Sequence, residues 1–565
     1  MISYPRRLPI RLLRVLLGLS ISGLLTACGG GGGSDPPDGD RECCFVYESS
    51  WFVPAVQQPG PDPSLGRQWH LLNLGQTGGT PGEDLSLPWV TSGSWVPGFR
   101  GEEVRVAIVD DAVEVVHPDL TPNFDAGKPE SYFNYRVPGQ LPLPYYFDED
   151  HGTSVAGIAL ARDDNTLFGA GVAPRASLGV YNALARNLDA DIADALRRDP
   201  KVTGVYNNSW GSPDNGVLNP AEAGFVAAIT AGVEGTKSVE AGRNGKGSIY
   251  VFPAGNGGCY LQHADGSCAM SENSNYDGYV NKRGVIAVCA VDDTGRAPYY
   301  AEPGANILVC GRSGNTRVGI TTLVPQGAER TDFNGTSASA PMVSGIVALI
   351  LKERPELSWR DVRLILAKSA RQNDPGDPGW TSGFGLHFNP KYGFGAADAA
   401  AAVALAKTWT SIDNGSPVMK SCTVDRSFVP ARGIPDDPAT PVTDSIGIDA
   451  SSCMTDITRV EFVEVRFRAT HSYAGDLRIE LISPAGQVSL LANERVCNLD
   501  NDAVADSCGN YDDPGLPPSG WQFGSVRHLE EPAAGTWTLR VTDAQAGDEG
   551  RWSSWGLTVW GRQEP

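Results

Sequence analysis

The sequence predicts two folded units of different class: an α/β domain over residues 62–407, with a mostly parallel sheet flanked by helices, and an all-β sandwich over residues 408–563. Three observations carry the prediction. Mostly apolar runs such as 104–109 and 249–253 end in acidic or glycine turns, as strands buried in an α/β sheet do. Among them fall stretches of small and apolar residues long enough for buried helices, 342–350 and 396–406. Beyond Lys407 the pattern switches to short alternating segments (460–467, 477–482, 535–541, 555–560) broken by Gly, Pro, Asp and Asn. A chain of 565 residues also exceeds what one ordinary core organises.

Taken in order, the chain opens with an address rather than a fold. Arg6, Arg7, Arg11 and Arg14 precede the apolar stretch 15–24, which is too short for a good membrane span, so residues 1–27 read as an export signal. Residues 28–61, with glycines 29–33, form a flexible tether. The strand over 104–109 then delivers Asp110-Asp111 at its carboxyl end, where open α/β sheets place their chemistry. His151 heads a small-residue helix, His151-Gly152-Thr153-Ser154. Asn256 stands in the glycine turn after the strand at 249–253. Finally Asn334-Gly335-Thr336-Ser337-Ala338-Ser339-Ala340-Pro341 presents Ser337 at a helix start, with Pro341 expected in the first turn. Backbone N–H groups at such a terminus can stabilise an oxyanion, but serine needs a base to become a nucleophile.

An acid, a base and a nucleophile in the chain order Asp110, His151, Ser337 resemble the catalytic set of the subtilases. The resemblance implies a serine endopeptidase working through an acyl-enzyme, with Asn256 and the Ser337 N–H as oxyanion donors. The C-terminal unit is similar to the jelly-roll P domain of proprotein convertases, through His471-Ser472-Tyr473-Ala474-Gly475-Asp476-Leu477, Leu481-Ile482-Ser483-Pro484 and Gly535-Thr536-Trp537. A P domain behind a subtilase core is the kexin/furin arrangement, which implies cleavage after Arg or Lys, in dibasic or monobasic contexts.

By that resemblance Asp111 faces a basic side chain upstream, while Asp214, after Ser209-Trp210-Gly211, and Asp277, in Asn275-Tyr276-Asp277-Gly278-Tyr279, line the main specificity pocket. A desolvated arginine needs more than one anionic partner, so convergent carboxylates suit it. Asn207-Asn208 and residues 180–194 depart from the family pattern. The same comparison implies two calcium sites. One uses Asp62, Asp119 and Asn165 with carbonyls of the loop from Arg162 through Leu167 to Gly169; the other lies beneath the pocket at Asp214, Glu272 and Glu302.

Leu25-Thr26-Ala27-Cys28 resembles a bacterial lipobox, implying lipidation at Cys28 and an envelope location, with Gly29 pointing to the outer membrane. Between Cys28 and Asp62 there is no room for a folded prodomain, so either folding is unaided or a separate chaperone assists. The net charge of −21 argues against nucleic acid as the main partner. Of 11 cysteines, ten remain beside Cys28, an even number for an exported chain. Cys259/Cys268 and Cys497/Cys508 would close short loops, Cys422/Cys453 falls in one domain, Cys289 and Cys310 end adjacent strands, and the pairing of Cys43 and Cys44 is open. A broad-specificity subtilisin-like protease and a catalytically vestigial surface binding protein are the alternative functions.

Overall fold

Seven parallel strands organise the first domain: β1 (Arg105–Val109), β2 (Tyr132–Phe133), β3 (Ser177–Tyr181), β4 (Thr203–Asn208), β5 (Ile249–Pro253), β6 (Val285–Val291) and β7 (Ile307–Arg312). They lie in the order 7-6-5-4-1-3-2, every neighbouring pair parallel. The computed structural model describes residues 58–91, 94–95, 100–236, 239–259, 272–412, 418–449, 457–498 and 506–564, with residues 24, 25, 45, 47 and 48. Cys28, Cys43, Cys44, Cys268, Cys453, and nearly all of the expected signal and tether lie outside the described residues.

The strands β4 to β7 are buried throughout, which is why their sequences run apolar rather than alternating. Around them stand α1 (His151–Leu160), α2 (Asp189–Ala195), α3 (Ala223–Glu234), α4 (Thr336–Glu353), α5 (Trp359–Ser369) and α6 (Ala399–Thr408). Every residue of α4 from Ala338 to Leu351 is buried. Strand order reverses at β1, whose neighbours are β3 on one side and β4 on the other, so the crevice for ligands opens at its carboxyl end. Asp110 follows directly.

Two local expectations shift. The helix expected over 396–406 begins at Ala399, because Ala396 bridges to Cys310 and Arg371, and Asp398 caps the helix by accepting from the Ala401 N–H. Pro341 lies in the second turn of α4 rather than the first, since the helix starts at Thr336.

The second domain is a sandwich of two four-stranded antiparallel sheets. Its strands are β8 (Lys420–Ile434), β9 (Val442–Ile448), β10 (Arg459–His471), β11 (Leu477–Ile482), β12 (Val488–Ala492), β13 (Trp521–Ser525), β14 (Gly535–Asp543) and β15 (Gly550–Arg562), ordered 8-15-10-13 and 9-14-11-12. Trp521, Trp537, Trp552 and Trp555 fill the space between them. Cys289 and Cys310, directly paired across β6 and β7, form a disulfide, as do Cys497 and Cys508. Cys259 and Cys422 are also disulfide-bonded. Among the described residues no helix is long and apolar enough to cross a membrane.

The domains are joined by buried polar contacts as well as apolar ones. Arg360 on α5 forms a bidentate pair with Glu461 on β10, its Nε 2.9 Å from Oε2. Lys368 and Arg562 both reach Glu530, at 3.0 and 2.7 Å. Stranding one member of a buried pair costs about 3–5 kcal/mol, whereas replacing both by apolar groups is often nearly neutral. Arg360→Ala is therefore expected to destabilise the protein strongly, less whatever Arg562, 3.8 Å from Glu461, recovers. Arg360→Met combined with Glu461→Leu should cost far less. Urea unfolding of these variants decides it; a double variant as unstable as the single one rules the account out.

Candidate active site

Asp110, His151 and Ser337 arrive at the crevice on three separate elements: the end of β1, the start of α1 and the first turn of α4. His151 Nδ1 lies 2.9 Å from Asp110 Oδ1, which leaves Nε2 as the nitrogen available to a hydroxyl. Asp110 is buried, its backbone N–H donating to the Tyr181 carbonyl on β3, and the Phe333 ring packs 5.4 Å from the imidazole. Burial works against the imidazolium, but the Asp110 carboxylate and the charges of Asp111 and Asp150 outweigh it and push His151 up to about 9. Ser337 Oγ donates to the Ser209 carbonyl at 3.2 Å. Nucleophile–base hydrogen bonds often tighten only once substrate is seated.

The expected oxyanion donors are held in place. Asn256 Oδ1 accepts from the Thr336 N–H at 2.8 Å and the Thr336 hydroxyl at 2.9 Å, and this turns its amide nitrogen outward as a donor. Gly335, at φ 86°, precedes the helix in a conformation that disfavours a Cβ, and a Cβ there would sit 3.3 Å from Asn256 Oδ1. The Ser337 N–H, in the first helical turn, has no intrahelical acceptor, as the expected second donor requires.

Beneath the nucleophile runs a polar chain that sequence reasoning missed. Pro341 has no N–H, so the Ser337 carbonyl four residues earlier lacks its helical donor. Ser209 Oγ fills that place at 3.1 Å. Asn207 Nδ2 donates to Ser209 Oγ at 3.0 Å, and Ser344 Oγ donates to Asn207 Oδ1 at 2.8 Å. The departing Asn207 is thus a link between α4 and the Ser209 segment. The available signal was an asparagine pair in an otherwise apolar strand, together with the proline.

The expected pocket acids fall into two places. Asp111 lies at the head of α1, with Oδ1 accepting from the Gly152 N–H at 2.8 Å and Oδ2 from the His151 N–H at 3.3 Å. Its carboxylate caps the helix that carries the base. Asp277 instead stands behind Gly211 and Ser212, accepting from the Ser212 N–H (2.9 Å), the Ser212 hydroxyl (3.0 Å) and the Tyr279 N–H (2.7 Å). A Cβ on Gly211 would come within 2.6 Å of its Oδ2. A cleft of about 280 Å³ lined by Trp210, Gly211, Ser212, Asn219 and Tyr279 opens in front. Trp210 is tied by its indole N–H to the Val109 carbonyl at 2.9 Å, which fixes the cleft wall to β1.

Asp214, Glu272 and Glu302 converge behind this cleft. Glu272 and Glu302 are buried, and burial followed by the Asp214 charge pushes both well above the carboxylate range. Glu302 hydrogen-bonds to Asp214, and Asp277 is raised to about 6 by burial with a contribution from Asp214. Glu302 also accepts from the Gly257 N–H at 2.8 Å, and a Cβ on Gly255 would lie 2.2 Å from its carboxylate, so this acid supports the turn that carries Asn256.

At the other expected site Asp62 accepts from the Asp164 and Asn165 N–H groups at 2.9 and 3.0 Å. The Arg162 N–H donates to the Asp119 carbonyl, and the Leu167 N–H to Asn165 Oδ1. Gly169 packs against Gln68 so closely that a Cβ would sit 2.3 Å from its Oε1. Asp119 Oδ2 is buried without a hydrogen-bond partner, and burial raises Asp119 to about 8 and Asp62 to about 6. Asn165 turns its nitrogen toward Asp119 Oδ1 (2.6 Å), so it would have to rotate to offer a cation its oxygen. Among the described residues no three His, Cys, Asp or Glu side chains form a ready metal cluster. The orphaned Asp119 oxygen and the crowded acids at 214, 272 and 302 are nonetheless the donor chemistry of a hard cation.

Comparison with known proteins places both domains in known families. A family model described as the subtilase family matches residues 101–395, and one described as the proprotein convertase P-domain matches residues 460–559. The chain is 33% identical to the dibasic-processing endoprotease of Schizosaccharomyces pombe over 511 residues, 89% of this chain and 66% of that one. It is 30% identical to human neuroendocrine convertase 2 over 518 residues, 89% of this chain and 74% of the relative. Among solved structures, the serine protease of Aeromonas sobria superposes with a TM-score of 0.74 at 26% identity, covering 89% of this chain and 96% of that one. The same protease in complex with its chaperone gives 0.75 at 27% identity, covering 90% and 96%.

The neighbouring acids have a consequence for pH. Burial and the Asp110 charge push Asp111 upward while His151 pulls it down, so the two titrate as a pair. A base must be neutral to accept a seryl proton, so kcat/KM should rise with pH along a limb set by that pair. Asp111→Asn removes a charge that favours the imidazolium yet keeps an acceptor oxygen for α1. The limb is expected to move to lower pH; a pH–rate profile with the limb unmoved would contradict the coupling.

Proposed function

The chain belongs to the subtilase family, and from that premise we propose that it is an exported, lipid-anchored serine endopeptidase that cuts proteins after arginine or lysine. One observation carries the specificity: Asp277 stands behind Gly211 and Ser212, which line the cleft, and Asp214, next to Pro213 of the same lining, adds its charge to a cluster of acids there. Such a cluster of acids attracts a cation, and a guanidinium or ammonium group entering the cleft answers it.

In the reaction, His151 Nε2 takes the Ser337 proton as Oγ adds to the scissile carbonyl carbon. The oxyanion is received by Asn256 Nδ2 and the Ser337 N–H. Asp110 holds the imidazole by Nδ1 and stabilises its charge. Collapse breaks the C–N bond as His151 returns the proton to the leaving amine. Water, deprotonated by the same nitrogen, then adds to the acyl-enzyme and Ser337 leaves with the proton. Asp62, Asp119 and Asn165 would hold one calcium ion and Asp214, Glu272 and Glu302 another, neutralising buried carboxylates rather than acting on substrate. The anchor rests on Cys28 and the residues before it, and the outer-membrane location on Gly29 after it; a separate chaperone is proposed as folding partner.

A substrate-library profile tests the specificity. Cleavage should favour Arg and Lys over Phe before the scissile bond, and Ser337→Ala should abolish it. Removing one partner of a buried charge pair costs about 2–5 kcal/mol, so Asp277→Asn should lower the Arg preference by at least about thirtyfold. An unchanged profile leaves a broad-specificity protease as the better reading. For the cation, calcium at a hundred times its Kd should add about 2.7 kcal/mol of stability. Thermal melts with calcium or a chelator should differ for the parent chain but much less for Asp119→Asn; identical shifts in both chains would remove Asp119 from the site.

A further inference from the structure

The segment between Glu272 and Asp277 makes an unusual set of bonds: most of its side chains face the sandwich domain. Tyr276 is fully buried in the sandwich core, where its hydroxyl donates to the Asn493 carbonyl at 2.9 Å and accepts from the Asn493 N–H at 3.0 Å. Asn273 Nδ2 donates to Asn493 Oδ1 at 2.8 Å. Asn275 accepts from the Gly524 N–H at 2.8 Å and, at its carbonyl, from the Trp521 indole at 3.0 Å.

The opposite wall of the same site is held by the same loop of the sandwich. Arg495 Nε donates to the Gly216 carbonyl at 2.5 Å, while the Gly216 N–H donates to Glu272 Oε2 at 2.9 Å. The Asn498 N–H donates to the Asn215 carbonyl at 2.9 Å. The approach is so close that a Cβ on Gly216, at φ 81°, would lie 2.7 Å from the Val496 carbonyl. Arg495 itself is buried, its guanidinium 4.0 Å from the centre of the Tyr276 ring and 3.3 Å from the Tyr511 hydroxyl. One side chain therefore touches both the loop that follows Asp214 and the residue that precedes Asp277. Those two strips of backbone are also joined to each other, through the Asn219 N–H to the Tyr276 carbonyl at 2.9 Å and the Gly278 N–H to the Asn219 carbonyl at 2.8 Å.

We propose that Arg495 of the sandwich domain is a positioning residue for specificity: by bridging Gly216 and Tyr276 it sets the spacing of Asp214 and Asp277, and so the cleft's preference for a basic side chain. The proposal rests on the reading of that cleft as the site for arginine or lysine. It places Arg495 outside the bond-breaking machinery, since none of its contacts is to Asp110, His151, Asn256 or Ser337. Lysine at this position can donate to Gly216 but cannot also lie flat on the Tyr276 ring.

The test uses the full chain and two peptides that differ only in Arg or Phe before the scissile bond. Arg495→Met should lower the Arg-over-Phe ratio of kcat/KM about tenfold or more, as small displacements of positioning groups do. The loss should appear mainly in KM for the Arg peptide. Phosphonylation of Ser337 by a small fluorophosphonate, which needs no basic side chain, should keep its rate. Arg495→Lys, which keeps a donor for Gly216 and loses the flat contact with the Tyr276 ring, should fall between, and it carries the test if Arg495→Met does not fold. An unchanged ratio in folded variants of a parent that prefers Arg overturns the proposal, as does equal loss of peptide cleavage and phosphonylation. A parent with no Arg preference overturns the underlying reading and the proposal with it.

Discussion

Ser337 stands in the first turn of a helix that is buried almost throughout. From Ala338 to Leu351 every side chain of α4 is buried, and the sheet strands β4 to β7 are buried with it. The core therefore decides where Ser337 stands, to the precision of close packing. The rest of the site is built outward from that position. Thr336 orients Asn256, Gly335 admits the turn, and the carbonyl freed by Pro341 draws in Ser209. The cleft wall that carries Ser209 is thereby registered to the nucleophile through hydrogen bonds that a helix with an alanine at position 341 would not leave open.

A second constraint is electrostatic. Glu272 and Glu302 are buried among like charges, an arrangement that folding disfavours unless a proton, a cation or a fixed positive group answers it. Arg495 lies in the field of Glu272 and favours its ionised form. The acids behind the cleft are thus supported by the other domain, and the sandwich is bonded to the segments that bear them. The Arg360–Glu461 pair is a further buried tie across the same interface.

Much of the catalytic set was legible in the chain, because its members carry local signatures. Asp110 ends a strand, His151 and Ser337 begin small-residue helices, and Asn256 sits in a glycine turn. Such features depend on residues within a few positions of each other. The pairing of Cys289 with Cys310 was legible for a related reason: both lie on recognisable neighbouring strands. The polar chain Ser344–Asn207–Ser209 was not, since it joins residues over a hundred positions apart that no short motif connects. Asp111 shows the limit in another way. Its place beside Asp110 was plain, but only the approach of α1 reveals that backbone N–H groups occupy its carboxylate.

What the sequence determined by itself is the inventory: two domains of different class, the acid, base, nucleophile and oxyanion amide in order, and a surplus of carboxylates near the Ser-Trp-Gly segment. Periodicity, turn chemistry and helix starts are short-range properties, and the chain writes them directly. The tertiary structure alone decided which acids share a field, which one caps a helix, and that a loop more than two hundred residues downstream grips the segment after Asp214. Those outcomes depend on distances between segments remote in sequence, and such distances exist only once the sheet order and the domain interface have formed.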